Sequence, residues 1–209
     1  MNTCDIPVEN HPLEPFIPEG ARLLMLGSFP PKKERWSMEF FYPNWINDMW
    51  RIWGLIFFGN KEYFTSTDEN GRMLKRFAKD RCMGFAGEKG IAMYDTACKV
   101  RRLKDNASDK FLEIVQPTDL LELLGKMPEC KAIVTTGQKA TDVIVGTFGC
   151  KEPAVGEYTD CIIADRKIRF WRMPSSSRAY PLALEKKAEQ YEKMFRMELE
   201  EKNFIKQIR

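Results

Sequence analysis

The apolar positions of this chain change their spacing repeatedly, and each change predicts a different element. "ARLLMLG", residues 21–27, is an unbroken apolar run closing on glycine, the pattern of a strand buried on both faces. After a loop, "NWINDMWRIWGLIFF" places Ile46, Met49, Trp50 and Trp53 at helical spacing. "DENGRMLKRFAKDRC" begins with acids and ends with bases, the order a helix dipole prefers, and predicts a second amphipathic helix. "GIAMYDTAC" predicts a strand and "RRLKDNASD" a polar loop. "QPTDLLELLGKM" has helix-start chemistry, with Leu120, Leu121, Leu123 and Leu124 inside it. "KAIVTTG" predicts another buried strand running straight into a helix, "QKATDVIVGTF". "CIIAD" and "KIRFWRMP" are β-rich and predict a hairpin.

From Leu182 to Ile208 one long helix is expected, with Leu184, Ala188, Tyr191, Phe195 and Leu199 on one face. Its pairs Glu189–Lys193, Glu192–Arg196 and Glu198–Lys202 predict a solvated charged face. Residues 1–20, with Pro7, Pro12, Pro15 and Pro18, predict an arm packed on the surface. Alternating strands and helices make this an α/β chain with a largely parallel sheet. Ligands in such folds bind at the carboxyl ends of the strands, so the loops after Gly27, Tyr94, Thr136 and Met173 matter most.

Composition sharpens this only in part. The 209 residues are 44% hydrophobic and 12% aromatic, enough for one core, and predict a single domain over residues 1–209. No apolar run approaches the length of a membrane span, and the acidic, proline-containing start predicts no secretory signal. Six cysteines are scattered without a C-x-x-C, and the single histidine is His11, so a metal site is poorly supported and free thiols are expected. The net charge of +3 decides nothing about partners, whereas "PPKKER", "RMLKRFAKDR" and "CKVRRLK" are local basic clusters. Neither G-x-G-x-x-G nor G-x-x-x-x-G-K-[ST] occurs, which argues against an unrelated small-molecule α/β enzyme with a phosphate-binding glycine loop.

Five segments then come in an informative order: "LLMLGSFPP", "FYPNWINDMWRIWG", "GIAMYDT", "VTTGQKA" and "RMPSSSRAYP". Together they resemble the uracil-DNA glycosylase superfamily, most of all its mismatch-specific uracil and hypoxanthine-DNA glycosylase branches. In those a strand ends in a G-x-x-P-G-like turn. An aromatic-x-H-P-x-N-x-F-W segment follows, and a late P-S-x-S loop closes the site. The resemblance spans about Leu23 to Pro181. It implies a three-layer α/β/α sandwich around a mostly parallel four-stranded sheet. It implies hydrolysis of the N-glycosidic bond of a deaminated base, uracil or hypoxanthine, in DNA. It also implies no metal and no organic cofactor. The expectation is a cytoplasmic, monomeric protein whose partner is damaged DNA, with no membrane; the rival is a catalytically weak or inactive nucleic-acid-binding member of the same fold.

The residues can be weighed on their own chemistry. A flipped base needs walls to stack on and polar groups to read its edge. Tyr42 stands at the family's stacking position, and Asn47 matches the asparagine of x-N-x-F-W with Trp50 as its tryptophan. An amide carries both donor and acceptor, so Asn47 is the catalytic candidate, by placing water or bonding the base. Asn44 stands where relatives often have histidine. The plainer alternative is that Asn44 caps the helix and Asn47 bonds within its first turn. Ser175, Ser176 and Ser177 are candidate phosphate contacts with Arg178 beside them, or else an ordinary turn before the last helix. Thr136 is a candidate base contact, and Lys32, Lys33 and Arg35 could neutralise phosphates. Asp95 and Asn106 could also reach the pocket. Two positions depart from the family: Phe29 stands where many relatives have a catalytic Asn or Asp, and Met173 where classical members have histidine. Phe29 is then left as an aromatic base contact.

Overall fold

The computed structural model describes residues 6–103 and 109–199. Its centre is a sheet of five strands, β2 (Leu23–Gly27), β5 (Ile91–Asp95), β8 (Ala132–Thr136), β9 (Glu157–Ile163) and β10 (Arg166–Met173), in the order β5-β2-β8-β10-β9. The first four in that order run parallel, and β9 is added antiparallel through the β9–β10 hairpin. The expected count of four strands is therefore corrected to five: the hairpin contributes both its arms to the central sheet. All five residues of β2 and of β5 are buried, which is why their sequences read as continuous apolar runs.

Helix α1 (Met49–Phe58) follows the long loop after β2, and α2 (Lys79–Glu88) precedes β5. Helices α3 (Leu120–Gly125) and α4 (Gln138–Phe148) flank β8, and α5 (Leu184–Glu198) follows β10. Trp53 of α1 meets Phe85 of α2 edge-on at 5.9 Å and Phe195 of α5 at 5.4 Å, so three helices share one aromatic cluster. Asp119 caps α3 by accepting the Glu122 N–H at 2.9 Å.

Around this lies a small antiparallel sheet, β1 (Glu9–Asn10), β6 (Ala97–Arg102) and β7 (Leu112–Pro117), in the order β1-β6-β7. The N-terminal arm thus supplies a strand, and its Phe16 exchanges two backbone hydrogen bonds with Met93, covering the open edge of β5.

Several expectations are corrected. "DENGRMLKRFAKDRC" is not one helix: it forms the second arm of a hairpin, β3 (Thr65–Thr67) and β4 (Met73–Phe77), and only then α2. Asp68 Oδ1 accepts the N–H of Asn70 and of Arg72, and Gly71 takes φ +77°, so side-chain turn chemistry overrides the charge order. Ile46 precedes α1 and is 53% exposed instead of joining its buried face. "RRLKDNASD" is not all loop, because Arg101 and Arg102 end β6, while residues 104–108, Asn106 included, lie outside the described residues. Helix α5 is described to Glu198, and the rest of the expected helix, with Lys202 and Ile208, also lies outside them. Glu198 is not on a solvated face: it is buried, accepting from Trp171 Nε1 at 2.6 Å beside Arg169. Cys150 and Cys161 are joined as a disulfide with Cα atoms 5.7 Å apart, whereas Cys82, Cys98 and Cys130 are free.

Candidate functional site

The carboxyl ends of β2 and β5 meet at Gly27 and Asp95, which are paired across the sheet. A Cβ on Gly27 would lie 2.3 Å from Asp95 Oδ1, so glycine is what lets the carboxylate sit here. The other oxygen of Asp95 lies 3.0 Å from His11 Nε2, and His11 Nδ1 lies 2.7 Å from the Leu13 carbonyl. Both groups are buried, with the imidazole against Phe29 at 5.2 Å and Tyr94 at 4.6 Å. Ser28 Oγ donates to Asp109 Oδ1 at 2.6 Å. Burial raises the Asp109 carboxyl above its ordinary range, with the Ser28 bond and Lys139 pulling the other way. Phe29 itself is half-buried on Ala97, Val100 and Leu112, with the Arg102 guanidinium 5.5 Å above its ring. Arg102 is held by Glu9 at 2.9 Å and by the Pro30 carbonyl at 2.6 Å.

The loop between β2 and α1 is closed by a bridge between Trp36 and Asn44 and by the Ser37 N–H and hydroxyl on the Pro43 carbonyl. At its apex Tyr42 takes φ +53°, a costly conformation for a bulky residue. That turn carries the half-buried Tyr42 to β8, where its hydroxyl lies 3.3 Å from Thr136 Oγ1. Burial, more than any neighbouring charge, drives the Tyr42 phenol well above its usual range. Lys32 and Lys33 lie exposed at the start of this loop; Lys33 is 3.7 Å from Glu39, and Arg35 is exposed too.

Both amides have their oxygens committed. Asn44 Oδ1 accepts the Ile46 N–H at 3.1 Å, and Asn47 Oδ1 accepts the Met49 N–H at 2.9 Å, ordering the entry to α1. Asn47 also pairs with Ser177 in an isolated bridge, and the Asp48 N–H donates to the Ser176 carbonyl at 2.8 Å. This strand-like clasp brings the asparagine segment and the serine loop together. Within the loop, Ser175 Oγ accepts the Ser177 N–H and Ser177 Oγ the Ala179 N–H, both at 3.2 Å. Ser176 is only 2% exposed, so its side chain faces inward, unlike those of Ser175 and Ser177. Met173 is 1% exposed and belongs to the core.

Sequence reasoning missed the group that locks this clasp. Asp48 is buried, receiving Arg178 Nε at 2.9 Å on one oxygen and Lys187 Nζ at 3.2 Å on the other. Lys187, 1% exposed, also donates to the Ser177 carbonyl at 2.8 Å. A signal existed: Lys187 falls on the same helical face as Leu184, Ala188 and Tyr191, where a lysine needs a buried partner. Next to Asp48, Arg51 packs its guanidinium 4.1 Å above the Trp45 ring and donates through one nitrogen to the Trp45 and Asn47 carbonyls. Among the described residues no cluster of three His, Cys, Asp or Glu side chains could hold a metal ion. No helix among them is long and apolar enough to cross a membrane.

No family model matches this sequence, and no curated protein matches it. Among solved structures the chain is similar to a solution NMR structure from Methanosarcina acetivorans described as a "putative Uracil DNA glycosylase". The TM-score is 0.61 at 19% identity, over 93% of this chain and 100% of that one. At that identity the likeness is one of fold.

Proposed function

We propose that this protein is a monofunctional DNA-base glycosylase, acting by water attack on the N-glycosidic bond of a deaminated base such as uracil or hypoxanthine. The observation that carries the reading is the clasp between Asn47 and Ser177, which joins the two segments a glycosylase needs beside each other. One would handle the base and the other the phosphates. A fold shared along the whole length of a protein that bears a glycosylase name supports the same reading.

The geometry narrows the role of Asn47. Its oxygen is spent on the Met49 N–H, so the amide is held in one orientation with its NH₂ as the free end. An NH₂ group only donates. It suits a departing base that gains negative charge on a carbonyl oxygen, more than a water that must give up a proton. Tyr42, with Phe29 behind the first loop, would wall the base; Asn44 and Thr136 would border it. Ser175, Ser177 and Arg178 would hold phosphates beside the lesion, with Lys32 and Lys33 adding charge further along the strand.

A specific observation favours the rival as well. Phe29 and the buried Met173 put no titrating group at either departing position, and Asp95 is engaged by His11. A member of the fold that binds DNA and cleaves slowly or not at all would look like this. Single-turnover assays on uracil-, hypoxanthine- and xanthine-containing oligonucleotides, single- and double-stranded, separate the two. Base release supports the enzyme; binding without release supports the rival.

A further inference from the structure

Beside the serine loop lies a cleft of about 340 Å³ between the start of α1, the residues after it and the start of α5. Four cations, Arg51, Lys61, Arg178 and Lys187, line it with two acids, Asp48 and Glu62. Asp48 is already shared between Arg178 and Lys187, one oxygen each. Glu62 accepts from the Thr65 hydroxyl at 2.9 Å. Among the described residues neither Arg51 nor Lys61 has an ion pair. The positive charge of the cleft is therefore in surplus.

Arg51 is the unusual member. It is 4% exposed, yet its only hydrogen-bond partners among the described residues are two carbonyls, both reached through a single nitrogen. A buried guanidinium with no carboxylate hydrogen-bonded to it is costly unless it is kept for something. The Trp45 and Phe77 rings, 4.1 and 5.0 Å from its centre, hold it in place, so little side-chain freedom is left to lose on binding. Burial first, and then the neighbouring Arg178, depress the Arg51 guanidinium below its ordinary range, with Glu62 and Asp48 pulling the other way. An anion seated between the two would relieve that repulsion. Paired guanidinium forks fit the oxygens of a phosphate better than any other common anion except a carboxylate.

We infer that this cleft is a second phosphate site, formed by Arg51, Lys61 and the outer edge of Arg178, which holds a phosphate of the DNA strand beyond the serine loop. The inference rests on the glycosylase reading for the identity of the strand. The phosphate is either an internal phosphodiester or the terminal monoester at a nick, and both share the chemistry the cleft recognises.

The test uses the full chain and two probes, a continuous lesion-free duplex and the same duplex nicked with a 5′-phosphate. Affinity is followed by fluorescence anisotropy across a salt series. Lys61 is exposed, so Lys61→Glu leaves the fold intact. It is expected to weaken binding about tenfold and to lower the slope of log affinity against log salt by about one to two. Lys167→Glu, at the opposite end of β10, measures the general effect of reversing one charge and should do much less. Loss on both probes assigns the cleft to an internal phosphodiester, and loss confined to the nicked duplex assigns it to a terminal phosphate. If Lys61→Glu matches Lys167→Glu on both probes while lesion cleavage persists, the cleft is overturned and the glycosylase reading stands. A wild type that binds neither probe overturns the cleft, while the glycosylase reading is decided by base release from lesion DNA.

Discussion

At the first loop, the two acids that face the strand ends each have a partner inside the fold. His11 meets Asp95 and Ser28 meets Asp109, with aromatic rings packed around them. At the late loop the balance is reversed: one buried carboxylate, Asp48, holds two cations, and Arg51 and Lys61 share the cleft with Asp48 and Glu62 without an ion pair of their own among the described residues. The first region is a closed wall whose acids are bonded internally; the second is a rigid surface with positive charge to spare. A wall suits a flat uncharged ring, and spare charge suits phosphates. Asn47, at the end of the first loop, is bridged to the late loop at Ser177.

The division is broken most severely at Asp48. Asp48→Ala strands Lys187 in the core with only the Ser177 carbonyl, and should cost about 3–5 kcal/mol of stability, the range for half of a buried pair. Denaturant unfolding checks it; a loss under about 1 kcal/mol would mean that the clasp is held by its backbone bonds alone.

The meeting point comes next. Asn47→Ala should slow single-turnover cleavage at least ~100-fold, the scale of one preorganised donor lost, with a smaller loss of stability from the missing Met49 contact. Asn47→Asp sharpens the test. A carboxylate can still accept the Met49 N–H, so stability should be kept, but it cannot donate and repels an anionic base. It should be as inactive as alanine. Substantial activity in Asn47→Asp would move the role from base contact to water placement.

The wall is tested more gently. Tyr42→Ala should weaken lesion binding by about 1–3 kcal/mol, the worth of one stacked base, whereas Tyr42→Phe keeps the ring and should keep the affinity. Equal losses in both would make the hydroxyl bond to Thr136, and not stacking, the reason for Tyr42. The smallest effect is expected at Lys33, which is exposed and only loosely paired with Glu39. Lys33→Ala should reduce the salt dependence of duplex binding by about one phosphate contact, and an unchanged slope would take Lys33 off the DNA path.

The parallel strands were legible because their burial on both faces leaves continuous apolar runs, as in Leu23–Leu26 and Ala132–Val134. Helix α1 was legible from Met49, Trp50 and Trp53, though Ile46, four residues before Trp50, shares the spacing and lies outside the helix. The β3–β4 hairpin was hidden because β4 is mostly exposed and its apolar residues do not alternate, and its strongest signal is the Asn70-Gly71 turn after Asp68. The Cys150–Cys161 bond joins cysteines 11 residues apart with no motif to mark the pairing, and the His11–Asp95 contact depends on how distant segments dock, which no local spacing records. The site was legible as a set of segments and not as a set of contacts. The sequence singled out Asn47 and the serines, which the fold brings side by side; it did not show Asp48 and Lys187 beneath them.

The central claim is that the wall and the charged clasp together release a base. The direct measurement is single-turnover incubation of wild-type protein with labelled duplexes containing uracil or hypoxanthine, followed by detection of free base and of alkali-labile abasic strand. The account predicts base release from at least one lesion and none from the undamaged duplex. Tight duplex binding with no base released from any lesion would contradict it.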